Sequence, residues 1–232
     1  MKATITIRRY QPERREDPYY EDFEVDVEPT DRVLDALNHI KWYVDGTLAM
    51  RRSCQHGICG SDAMRINGRN RLACKTLMKD VGDEVTVEPL MGFDVEKDLI
   101  VDFDGFFDQI RQVKAYQITE SDPPEKERVQ SPEEYERYEE TSKCIMCGAC
   151  TGSCPSFWPN EDFVGPAAVV QAHRFVFDSR DEGNRERLVE LDQRDGVWAC
   201  RTVFNCTKAC PVDIQVTKAI GEVKRAIVEG EA

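Results

Sequence analysis

The cysteines constrain this chain more than any other residues. Cys144, Cys147, Cys150 and Cys154-Pro155 form one run, and Cys200, Cys206 and Cys210-Pro211 form a second further on. Three thiolates at CxxCxxC spacing can hold one face of an iron–sulfur cubane from a tight loop, while the fourth, three residues on and followed by proline, points to a different cluster. The second half therefore reads as a holder for two linked clusters.

Ten cysteines in 232 residues, clustered in this way, do not make a secreted disulfide scaffold and point to metal in a reducing compartment, cytoplasm or matrix. A hydrophobic content of 41% is ordinary for a soluble protein with a core. No apolar stretch reaches the roughly 20 residues that span a bilayer. Met1 to Tyr10 alternates like a strand, and no hydrophobic segment follows Arg8-Arg9 or Arg14-Arg15, so an export signal is not expected. The net charge of −13 disfavours nucleic acid and anionic lipid as direct partners, because both are polyanions. Any membrane attachment would go through another protein. There is no GxGxxG loop and no nucleophile–base constellation, so the chain is expected to carry electrons while another chain does the chemistry.

Two halves are expected on either side of a polar, proline-containing run, Thr119 to Pro132, with domains at 1–104 and 105–232. In the first, Ile5 and Ile7, then Phe23, Val25 and Val27, alternate as a hairpin around Pro12 to Pro18. Thr30 or Asp31 is expected to cap a helix carrying Val33, Leu34, Leu37 and Ile40, ending at Gly46. Leu72 to Cys74 and Val85 to Val87 read as strands, and Asp104 as the cap of a short helix through Phe107, Ile110 and Val113. In the second half, Ser131-Pro132-Glu133-Glu134 is a helix start with a capping box. Gly165-Pro166 and Asp213 are expected to open two more helices, the last with Val216, Ala219, Ile220, Val223 and Ile227 on one face. The fold class is α+β, with a mainly α-helical, bacterial-ferredoxin-like second domain.

Three metal sites emerge. Cys54, Cys59, Asp62 and Cys74 follow the plant-type 2Fe-2S spacing CxxxxCxxC with a distant fourth cysteine, except that aspartate stands third. Asp62 reads either as a ligand or as an ordinary loop residue. Gly57 and Gly60 let loop amides approach the sulfurs. By the cross-ligation rule, Cys144, Cys147 and Cys150 take Cys210, giving a 4Fe-4S site. Cys154 then joins Cys200 and Cys206, and Val203, in the middle position, cannot bind iron, so this centre is expected to be 3Fe-4S. Zinc or buried thiols are the competing readings. His39 and His173 are not read as ligands, and His56, inside the first loop, is either solvated or a tuning group. Trp42 and Trp198 are expected in the core, and Glu133 to Glu140 on a wet helix face.

This ensemble resembles the iron–sulfur subunits of succinate dehydrogenase and fumarate reductase over nearly the whole chain. The likeness is carried by Ser53-Cys54 through Cys59-Gly60-Ser61-Asp62, Leu72-Ala73-Cys74, Gly165-Pro166-Ala167, His173-Arg174 and Asp178-Ser179-Arg180-Asp181. The resemblance implies a β-grasp N-terminal domain, a partner flavoprotein carrying FAD that oxidises succinate to fumarate, and membrane-anchor subunits. It implies a peripheral position on the cytoplasmic face of an inner membrane, or the matrix face in mitochondria. Electrons would pass through the 2Fe-2S, 4Fe-4S and 3Fe-4S centres to quinone at the subunit boundary. Pro155, Trp158, Arg201 and Val203 are the residues this implies for the quinone site, although Trp158 is followed by proline and Arg201 stands where histidine is often found. Asp62 tilts the choice toward the dehydrogenases.

Overall fold

Alternation sets the first element: Ala3, Ile5, Ile7 and Arg9 are buried along β1 (Lys2–Arg9), and Thr4, Thr6 and Arg8 between them are not. The computed structural model describes residues 2–14, 17–160 and 162–230, so Met1 and Arg15 of the motifs above lie outside the described residues. β2 (Tyr19–Asp26) pairs antiparallel with β1, Ile5 opposite Phe23. Arg9 closes β1 fully buried, its guanidinium bound to Asp98 at 3.1 Å and to Asp45 and Glu21 at 2.6 Å.

α1 (Val33–His39) buries Val33, Leu34, Ala36 and Leu37 in the same core as Ile5, Ile7, Val85 and Val87. Its cap position is Arg32, not Thr30 or Asp31: the Asp31 carboxylate turns back to accept the Glu28 N–H at 2.8 Å, and Asp35 accepts the Arg32 N–H at 2.9 Å. The helix widens into a π-helical turn, Ile40–Val44, closed by the Asp45 N–H on the Ile40 carbonyl. Trp42 is 55% exposed rather than in the core, because it lies two positions past buried Ile40 and so off the buried face. The Arg52 guanidinium covers its ring at 4.8 Å.

β3 (Ala63–Ile66) and β4 (Arg69–Leu72) form a hairpin that the sequence reading missed, although Asn67-Gly68, at φ 46° and 76°, is the dipeptide that a tight primed turn demands. β4 stops at Leu72, so Cys74 is in a turn and not a strand; the Leu72 carbonyl accepts the Lys75 N–H and the Thr76 hydroxyl instead of a strand partner. After α2 (Met78–Val81), β5 (Glu84–Glu88) lies parallel to β1 and antiparallel to β3, giving the order β2-β1-β5-β3-β4. This mixed sheet with one main helix is the expected β-grasp arrangement. β6 (Val95–Lys97) and β7 (Ile100–Val101) add a small ribbon.

The chain forms two units: one holds residues up to Phe103 together with Ile145–Ser153, and the other holds Asp104–Cys144 and the residues from Cys154 onward. The second contains α3 (Asp104–Gln112) and α4 (Pro132–Ser142), the latter opened by the Ser131–Glu134 capping box. The short α5 (Ala149–Gly152) belongs to the first unit. α6 (Gly165–Val176) is buried along most of its length and is the second unit's central helix. α7 (Asn184–Leu191), α8 (Asn205–Ala209) and α9 (Val216–Glu229) complete the unit. Asp213 does not open α9; it sits at φ 62°, and the helix starts at Val216. Ala226 is buried on α9, whereas Ile227 is only partly so. Trp198 is 39% exposed rather than core, because its Nε1–H reaches out to Asp192 at 2.7 Å. The irregular run from Thr119 lies inside the second unit, where the Glu182 carboxylate accepts the Glu120 and Ser121 amides at 2.6 and 2.8 Å.

Candidate metal centres

In the first unit a loop between α1 and β3 carries Cys54 and Cys59. Gln55, Gly57 and Gly60 are left-handed at φ 60°, 80° and 69°, which turns successive amides inward. The N–H groups of Cys59, Ile58 and His56 reach Cys54 Sγ at 3.3, 3.4 and 3.5 Å. The Cys54 N–H reaches Cys59 Sγ at 3.4 Å, with the Ser61 hydroxyl 3.1 Å from the same sulfur. These amides, His56's foremost, lower the Cys54 thiol to about 6, so the thiolate is favoured. Cys74 is the opposite case: burial, then the adjacent Asp62 carboxylate, push it up to about 12.

Asp62 is 2% exposed. One carboxylate oxygen accepts the Cys74 N–H at 2.5 Å, but Oδ1 is buried without a hydrogen-bond partner. A buried carboxylate oxygen left unsatisfied is costly, and a cation held between it and the thiolates removes that cost. The donor set therefore fits a metal centre. His56 Nδ1 lies 2.6 Å from the Cys54 carbonyl, facing backbone. His39 is exposed on α1.

In the second unit, Cys154, Pro155, Cys200, Arg201, Val203 and Cys206 line one pocket. Burial raises the Cys154 and Cys206 thiols; the Ser156 and Phe157 amides oppose this at Cys154, and at Cys206 the Thr217 hydroxyl, 3.5 Å from the sulfur, does the same. The loop before α8 holds Thr202 and Phe204 at φ 58° and 62°, conformations that a β-branched residue in particular adopts only when its surroundings enforce them. Between them Val203 is 49% exposed. Trp158 lies outside the pocket lining. Lys224, which the sequence reading passed over, donates from α9 to the Cys200 carbonyl at 3.2 Å.

The remaining cysteines divide between the units. In the second, the Cys144 N–H is held by the Thr141 carbonyl at 3.2 Å, and Cys210, raised by burial, receives the Val212 and Ile214 amides and feels Cys144. Thr141 also meets buried His173 at 3.1 Å, whose other ring nitrogen is 2.8 Å from Glu222. In the first unit, Cys147 and Cys150 flank Gly148, which is left-handed at φ 77°. Asn70 of β4 donates to Ser153 Oγ at 3.1 Å and to the Ala149 carbonyl at 3.4 Å, and accepts the Met91 N–H at 3.3 Å, fastening α5 to the sheet. No disulfide joins any of the ten cysteines. Among the described residues no three His, Cys, Asp or Glu side chains gather around a single-ion position.

A family model for the 2Fe-2S iron-sulfur cluster binding domain matches residues 4–108, and one for the 4Fe-4S dicluster domain matches residues 136–211. The chain is 42% identical over 229 residues to the succinate dehydrogenase iron-sulfur subunit of Coxiella burnetii, with 97% of each covered. It is 36% identical over 232 residues to the fumarate reductase iron-sulfur subunit of Haemophilus influenzae, covering 95% of this chain and 91% of that one. Its fold matches a chain of the solved Mycobacterium smegmatis Sdh1 complex in the apo form, with TM-score 0.85, 28% identity, and coverage of 98% and 96%. Cysteine pattern, fold and full-length likeness together place the chain in the family of succinate dehydrogenase and fumarate reductase iron-sulfur subunits, the electron-transfer subunits of an oxidoreductase complex.

Proposed function

We propose that the chain links a flavoprotein subunit, carrying FAD and oxidising succinate to fumarate, to quinone at a membrane. In this reading Cys54, Cys59, Asp62 and Cys74 hold a 2Fe-2S cluster. Cys144, Cys147, Cys150 and Cys210 hold a 4Fe-4S cluster, and Cys154, Cys200 and Cys206 hold a 3Fe-4S cluster. The observation that carries it is the buried Asp62 oxygen without a partner beside Cys74, in a loop whose amides already point at sulfur. Such clusters, when bound, supply one-electron chemistry. The chain's own part is to stabilise charge on sulfur through amides and to keep water away by burial of Cys74, Cys154 and Cys206.

Pro155, Arg201 and Val203, beside the third group, together with Trp158, are proposed to face quinone. No helix among the described residues is long and apolar enough to cross a membrane. Attachment is accordingly proposed through anchor subunits, on the cytoplasmic or matrix face. Succinate oxidation is favoured over fumarate reduction because Asp62 replaces the third thiolate; rates in the two directions, compared in the assembled complex, decide this.

Iron and acid-labile sulfide analysis separates this reading from a zinc-stabilised module: iron with sulfide is expected, and zinc without sulfide refutes it. Asp62→Cys is expected to keep the 2Fe-2S centre and lower its potential, because thiolate donates more electron density than carboxylate. An EPR-monitored redox titration that shows no shift would mean that Asp62 is not a ligand.

A further inference from the structure

We infer that Gly60 is a positioning residue: its missing side chain sets the approach between the loop holding the first centre and the Cys147 thiolate of the second. This rests on the cluster assignment proposed above. Gly60 directly follows Cys59 and is buried, at φ 69°. A methyl group there would lie 2.6 Å from Cys147 Cβ, 3.0 Å from its Cα and 3.2 Å from the Ile145 carbonyl oxygen. Carbon atoms pack at about 3.5–4.0 Å, so backbone would have to part from backbone by about an ångström, with no flexible side chain to absorb the shift.

The Cys147 side of the contact is held as firmly. A methyl at Gly148 would meet the Phe103 ring at 2.8 Å and Leu90 at 3.1 Å, and one at Gly152 would lie 2.0 Å from the Met91 carbonyl oxygen. Asn70 adds its bonds to Ser153 and Ala149. All of these residues belong to the first unit. Two of the cysteines of the second group are thus built into the unit that carries the first group, and Gly60 abuts one of them, Cys147.

With both groups bound, the first held by Cys54, Cys59, Asp62 and Cys74 and the second by Cys144, Cys147, Cys150 and Cys210, one electron would pass between them with no bond made or broken, supplied by dicarboxylate oxidation on the partner. Both the transfer rate and the magnetic interaction of the two reduced centres fall with separation. The test is low-temperature EPR of the assembled, dithionite-reduced complex, with rapid mixing against succinate. Gly60→Ala is expected to retain both signals and full iron content, weaken their mutual broadening and slow reduction of the second centre.

Gly82→Ala is the control. It has the same left-handed strain, at φ 86°, but it lies between α2 and β5, outside both cysteine loops, and its methyl would enter open space, so the broadening should persist. If Gly60→Ala does not assemble, Asn70→Ala decides, and reduced broadening at full occupancy is expected. The inference is overturned by broadening that is unchanged in the deciding variant or weakened equally in Gly82→Ala. Absence of both signals from the unaltered complex would instead overturn the cluster assignment.

Discussion

Val203→Cys is expected to convert the centre proposed for Cys154, Cys200 and Cys206 from three irons to four and to slow the proposed reduction of quinone. Val203 stands midway between Cys200 and Cys206 and lines the same pocket as all three thiols. A thiolate there completes CxxCxxC, the spacing that grips a full cubane. Thr202 and Phe204 on either side are both left-handed, a backbone path that the substitution leaves in place. Val203 is half-exposed, and its replacement should cost little stability. Cluster type sets potential, and each fall of ~59 mV in a one-electron couple lowers the equilibrium constant for transfer into that centre tenfold. The measurements are iron content, EPR and quinone-reduction rate. A three-iron signal that persists at full occupancy in the variant would contradict the ligand grouping.

Arg187→Leu should destabilise the second unit by about 3–5 kcal/mol, the typical cost of removing one partner of a buried ion pair. Both side chains are fully buried: Nη1 reaches Asp181 Oδ1 at 2.6 Å and Nη2 reaches Oδ2 at 3.1 Å. The guanidinium also donates to the Tyr116 and Lys114 carbonyls at 2.6 and 3.0 Å, and so fastens the segment after α3 to α7. Its loss leaves a buried carboxylate without its cation and the Lys114 and Tyr116 carbonyls without this donor. Against a typical domain stability of about 5–15 kcal/mol this is a large fraction. The check is the temperature at which the isolated complex loses its visible cluster absorbance. Adding Asp181→Leu to Arg187→Leu should recover part of the loss, because the stranded charge goes with it. No recovery would place the cost in the carbonyl contacts instead.

Asp178-Ser179-Arg180-Asp181, part of the family likeness, carries a physical role in the fold. Asp178 chelates Arg180, whose Nη2 also reaches the Tyr138 hydroxyl of α4 at 2.9 Å, while Asp181 takes Arg187 and the Ile118 amide. The motif is a clasp joining α4, the irregular run and α7, and its meaning was hidden because its partners are far away in sequence.

Local rules were legible from residues alone. Thiolate spacing along a loop, the alternation of β1 and β2, and the Ser131–Glu134 capping box each depend on neighbours only a few positions apart, so the chain's order determines them. Distance in space decided the rest. That Cys147 and Cys150 fold with the first unit, that Asp62 keeps an oxygen without a donor, that Trp42 and Trp198 face outward and that Gly60 abuts Cys147 follow from which distant segments pack together. Close packing makes such contacts a property of the whole fold, and no periodicity along the chain encodes them.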